Sequence, residues 1–110
     1  MTFSLSVSSA VLEEDELDPA TVLAGEPRMF STVLHEDGTV QRGIWEITPG
    51  TVTDVEADEI FTVLTGRATI TVEDGPTLEV GPGDVGVFTE GARTTWTVHE
   101  TLRKVYQITL

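Results

Sequence analysis

A chain of 110 residues carrying nineteen acidic and six basic side chains, net −13, repels phosphate backbones and anionic lipid, which argues against nucleic-acid and membrane partners. With no cysteine it has no disulfide, thiolate metal site or cysteine nucleophile, and no apolar run approaches the roughly 18 residues of a membrane span. Eighteen Thr, fourteen Val and five Ile suit a pleated sheet and crowd a helix, so one all-β domain with a single core is expected.

Residues 1–27 read as an acidic, Ser-rich arm or edge strand, set apart from a barrel over 28–110. Ser4, Ser6, Ser8 and Ser9 alternate with Leu5 and Val7, making Thr2–Ala10 a marginal edge strand. Glu13–Glu16 is a charge run, usually a solvated loop. Asp18-Pro19 opens a turn or a single helical turn ending by Gly25. No basic residue precedes Arg28, so the start does not read as a signal peptide, and the chain reads as cytoplasmic.

From Arg28 the pattern is regular. Met29–His35 is a strand, Glu36-Asp37-Gly38 a turn and Thr39–Thr48 the return strand. Thr51–Val55 follows Pro49-Gly50, then Glu59–Leu64 and the alternating Arg67–Glu73. Asp74-Gly75-Pro76 turns into Thr77–Val80, and Gly81-Pro-Gly-Asp84 into Val85–Thr89. Arg93–His99 and Arg103–Leu110 complete nine or ten strands, few longer than seven residues. That rhythm predicts a sandwich or barrel, with a jelly roll the best single choice.

The spacing Glu59, six residues, Gly66, and the spacing of Gly83 and Gly91, resemble the paired motifs of the cupin superfamily, a jelly-roll barrel (double-stranded β-helix). The phrases Trp45–Gly50, Asp58–Phe61, Gly83-Asp84, Thr95–Val98 and Glu100–Tyr106 resemble the small single-domain cupins of the (S)-ureidoglycine aminohydrolase cupin domain family. The resemblance implies a metal held by a His-x-His unit, a Glu and a further His. Here the first two positions fall on Val52 and Asp54 or on Thr53 and Val55, the third on Thr94, and only Glu59 keeps its type. His35 and His99 lie elsewhere. The usual three-histidine site is absent, so no metal or other cofactor is expected.

Two constellations remain. Asp54 and Glu59 could face the barrel together and suit a hard cation such as Mn, Mg or Ca; alternatively Asp54, Glu56 and Asp58 form a solvated connection, with Glu59 paired to an arginine or to backbone donors. Trp45, Phe61, Phe88 and Trp96, with Thr94 and Glu59 as polar groups, either line a ligand pocket or fill the core of a small barrel. Arg103-Lys104 holds the only lysine and reads as a carboxylate site, a salt bridge to the acidic cluster, or a strand-edge pair at a dimer contact. Three functions follow: small-molecule binding by a homodimer without the usual metal site, a ureidoglycine aminohydrolase-type enzyme using carboxylates, or a structural dimer whose arm crosses to its neighbour.

Overall fold

The computed structural model describes residues 1–110 and is all-β, as expected. Its nine strands are β1 (Glu13–Asp15), β2 (Val22–Ala24), β3 (Met29–Glu36), β4 (Val40–Ile47), β5 (Gly50–Val55), β6 (Glu59–Val72), β7 (Thr77–Val80), β8 (Val85–Phe88) and β9 (Arg93–Thr109). A single 3-10 turn, Pro19–Thr21, is capped by the Asp18 carboxylate. No helix is long and apolar enough to cross a membrane.

Two long strands build the jelly roll. β9 pairs with β6 over nearly its whole length, and on its other side with β4 through its C-terminal half and β5 through its N-terminal half. β6 in turn pairs with β8 near its start and β7 near its end. One face of the barrel is therefore β1-β3-β4-β9-β6-β8, and the other β2-β5-β9-β6-β7, with β6 and β9 passing through both.

The predicted strands Glu59–Leu64 and Arg67–Glu73 are thus one strand, as are Arg93–His99 and Arg103–Leu110. The bend falls at register shifts between Val63 and Ala68. Bulges let a strand turn a corner without ending. Gly66 sits there at φ +87, where a methyl group would run into the Thr101 carbonyl. The glycine of the Glu-x6-Gly spacing is the hinge of that corner.

Alternation sorts the side chains. On β9 the even residues Thr94, Trp96, Val98, Leu102 and Lys104 are buried, and on β6 so are Glu59, Phe61 and Val63. The apolar members join Ile47, Val52, Ala68, Ile70, Val80 and Phe88 in one core. Each large apolar side chain so buried contributes about 1.5–3 kcal/mol.

The arm differs from expectation in detail. Thr2–Ala10 forms no strand, whereas Glu13–Asp15, expected as loop, pairs with β3. Ser31 Oγ donates to Asp15 at 2.6 Å and Arg28 holds Glu14, so the charge run gains partners along an open sheet edge. Farther out, the Arg103 guanidinium donates to the carbonyls of Val7 and Ala10 and to Glu46, tying the arm to the outer face of its own barrel. Ile44 lies on that outer face, fully buried and outside the main core cluster.

Candidate functional site

The inward alternation of β6 and β9 leads to a polar pocket at one end of the core. A cavity of about 350 Å³ opens there beside the indoles of Trp45 and Trp96, which meet edge to face with centroids 5.4 Å apart, and Asp54, Glu56, Glu59 and Lys104 also line it. Gln41 and Tyr106 close one side, and Glu16, Leu17 and Asp18, between β1 and β2, form the lip. A larger hollow of about 820 Å³ is an open groove between the arm and the outer face of the sheet. It holds no buried ion pair, so the concentrated chemistry is in the smaller cavity.

Lys104 is the centre of the pocket. Its side chain is 7% exposed, and Nζ donates to Glu59 Oε2 at 2.6 Å. The ammonium also lies 4.6 Å from the ring centroids of Trp45 and Phe61 and 5.0 Å from that of Trp96, within cation–π range of all three. Burial pushes the Glu59 carboxyl up, and the neighbouring ammonium pulls it back only in part.

Glu56 forms the second polar node. It lies in the connection between β5 and β6, yet is only 6% exposed. Its Oε2 accepts from Thr94 Oγ1 at 2.7 Å and from Trp96 Nε1 at 3.1 Å. Its backbone is pinned to the 89–92 turn by bonds to Ala92 and Gly91. Glu56 is therefore no part of a solvated connection: fixed donors compensate its desolvation. Asp54 stands beside it at the rim, solvent-exposed as a residue. Partial burial, then the Glu56 charge, raise its carboxyl to about 6. Asp58 turns away, its carboxylate accepting from the Glu90 amide.

The residues singled out in sequence separate into two layers. Asp54, Glu59, Trp45 and Trp96 line the cavity. Phe61 and Phe88 lie beneath it, their rings 5.3 Å apart and both packed on Trp96, while Thr94 reaches it only through Glu56. Lys104 and Glu56 were not singled out as pocket residues. Counting by twos from Trp96 without a break would have placed Lys104 inside. Nothing local to Glu56 separates it from its exposed neighbours. Tyr106, whose hydroxyl donates to Gln41, has its phenol raised by burial, then by Glu59.

A metal does not fit this donor set. No three His, Cys, Asp or Glu side chains converge to hold an ion. Both histidines point outward, His99 to Thr69 and His35 toward Arg42 and Asp37. Glu59 already faces a cation, and an ion beside it would meet the Lys104 ammonium.

Known structures share the architecture. The EutQ protein of Clostridium difficile superposes with a TM-score of 0.68 at 18% identity, covering 86% of this chain and 80% of its own. A protein of unknown function in the DUF861 family from Pseudomonas syringae pv. tomato gives 0.82 at 28% identity over 94% of this chain, which spans 46% of that longer protein. A DUF861 family protein from Thermotoga maritima gives 0.56 at 32% identity, covering 59% of this chain and 75% of its own. None of the curated proteins matches in sequence. The family profile for the EutQ-like cupin domain matches residues 34–106, from the end of β3 through the Lys104 strand. The chain belongs to the EutQ-like cupin domain family.

Proposed function

We propose that this cupin domain is a cytoplasmic protein that binds a small, uncharged polar molecule in the Trp45–Trp96 cavity without a metal ion. The carrying observation is the wall chemistry: two indoles in edge-to-face contact stand beside a few convergent polar groups, the composition of a ligand pocket. Two buried carboxylates, Glu56 and Glu59, and a third at the rim, Asp54, set against one ammonium disfavour an anionic ligand. Thermal-shift screening with acetate, succinate, N-methylurea and erythritol tests the reading, with fluorescence of the two cavity-lining tryptophans as an independent signal. The neutral compounds should raise the midpoint and perturb the fluorescence, while the carboxylates do neither. Silence from all four in both measurements would sink it.

A catalytic reading, of the ureidoglycine aminohydrolase kind, draws on one observation. Asp54 and Glu56 are adjacent carboxyls whose titration is pushed toward neutrality on the Asp54 side, which suits proton exchange with a bound substrate. Ammonia release from ureido compounds, abolished in Asp54→Asn, is the expected sign. Its absence under conditions where N-methylurea binds would leave a binding protein.

Self-association has its own support. Ile60 and Val87 are paired and exposed on the outer face, with Val85 and Leu64 beside them, and β8 pairs only with β6. Such an apolar edge suits a second copy of the chain as a homodimer. Light scattering should give twice the chain mass for the native protein and the single mass for Ile60→Glu/Val87→Glu. A native monomer at every concentration would remove the reading.

A further inference from the structure

We propose that Lys104 is a tethered cation standing where the cupin barrel would hold a metal ion, and that its ammonium donates to an oxygen of an uncharged ligand. The second half rests on the reading of the cavity as a binding site; the first does not.

Three observations carry it. Glu59, the one residue that keeps the type of the ligand set implied by the cupin resemblance, is bonded to Lys104 Nζ. An ammonium has three N–H donors, and Glu59 is the only hydrogen-bond acceptor that the fold places on this one. The faces of Trp45, Phe61 and Trp96 hold its charge without supplying an oxygen, and Lys104 lines the cavity. A purely structural ion pair would also bury Lys104 against Glu59, but it would not require an accessible space beside the ammonium. Arg103, one residue earlier, shows the contrast: it spends its donors on Glu46 and on arm carbonyls and faces no interior space.

The placement of charge is tested by chemical rescue. Lys104→Ala removes the equivalent of n-propylammonium from the barrel. At about 50 mM that ion should raise the variant's thermal midpoint by about 4 °C or more, leave the native protein unchanged, and outperform 1-propanol. Equal effects of the amine and the alcohol, or none from either, would overturn the first half. Should Lys104→Ala not fold, native protein labelled with ¹⁵N at lysine gives one side-chain resonance, because the chain has one lysine. A slowly exchanging ammonium at neutral pH, with contacts to Trp45, Phe61 and Trp96 ring protons, is expected; a freely exchanging solvated one would overturn the placement.

The donor role is read on the same resonance. N-methylurea and erythritol, added separately, should move it in step with the change in tryptophan fluorescence. Fluorescence changes with a motionless lysine resonance would end the donor role and leave cavity binding standing. If neither compound changes either signal, the cavity reading and the donor role fall together, and the rescue experiment still decides the placement of the cation.

Discussion

Two cation–carboxylate pairs in this chain share a 2.6 Å contact and almost nothing else. On the arm, Arg28 holds Glu14 with two donors, and both side chains are about half in water, 62% and 46% exposed. Inside the barrel, Lys104 holds Glu59 with both side chains 7% exposed. Water screens the first pair and offers either partner a substitute if the other is lost. The second has no substitute, so its partners depend on one another. Distance alone therefore says little about what an ion pair does; the medium around it decides.

The sharpest way to break the comparison is to remove one interior partner. Glu59→Gln or Lys104→Met should each cost about 3 kcal/mol in urea unfolding, because each leaves a buried charge unpaired. The double variant should recover most of that loss, since neutral partners need no compensation. Additive losses in the cycle would show the pair is solvated after all. An intermediate case is Arg103→Ala: the arginine side chain is 13% exposed and its guanidinium fastens the arm to the barrel. It should cost about 1–2 kcal/mol and open the first twelve residues to proteolysis, leaving the cavity as it is.

Next comes the rim of the pocket, where Asp54 gains no cation of its own. Its folded-state carboxyl titrates near 6 against an ordinary 3.8. The protonated group therefore favours the folded state; that contribution is complete below about pH 4 and is lost as the pH rises through about 6. Asp54→Asn should flatten stability across that window and leave the variant more stable than the native chain at pH 8. The gain should be about 1 kcal/mol, the full linkage being reduced because water reaches the rim. A decrease at pH 8 would show that the charge is favourably held. Smallest of all, Glu14→Ala on the arm should leave the unfolding midpoint unchanged within error at moderate salt. A clear drop would place that exposed pair in a network.

The pocket was partly legible before the fold. The sequence groups Glu59, Phe61, Thr94 and Trp96 as pocket or core, and the alternation of β6 and β9 does bury all four. Lys104 is missed because the chain was cut into two strands at Glu100–Leu102. Without that cut the same parity carries straight to the ammonium. Glu56 is different in kind. It sits among Asp54, Asp58 and other acids in a connection, and only the return of the 89–92 turn and of Trp96 gives it donors. The lip formed by Glu16, Leu17 and Asp18 was equally hidden, since its position depends on β1 and β2 pairing with strands far along the chain.

The all-β class, the turns, the alternation that separates interior from exterior and the missing imidazoles can all be read along the chain. These are local properties, set by β-branched residues, glycines and spacing. Folding alone brings the lone lysine against two acids of an earlier stretch in one largely buried pocket, and makes an exposed-looking arm its lip. Burial and pairing are properties of what surrounds a group, and those surroundings exist only once distant strands have met.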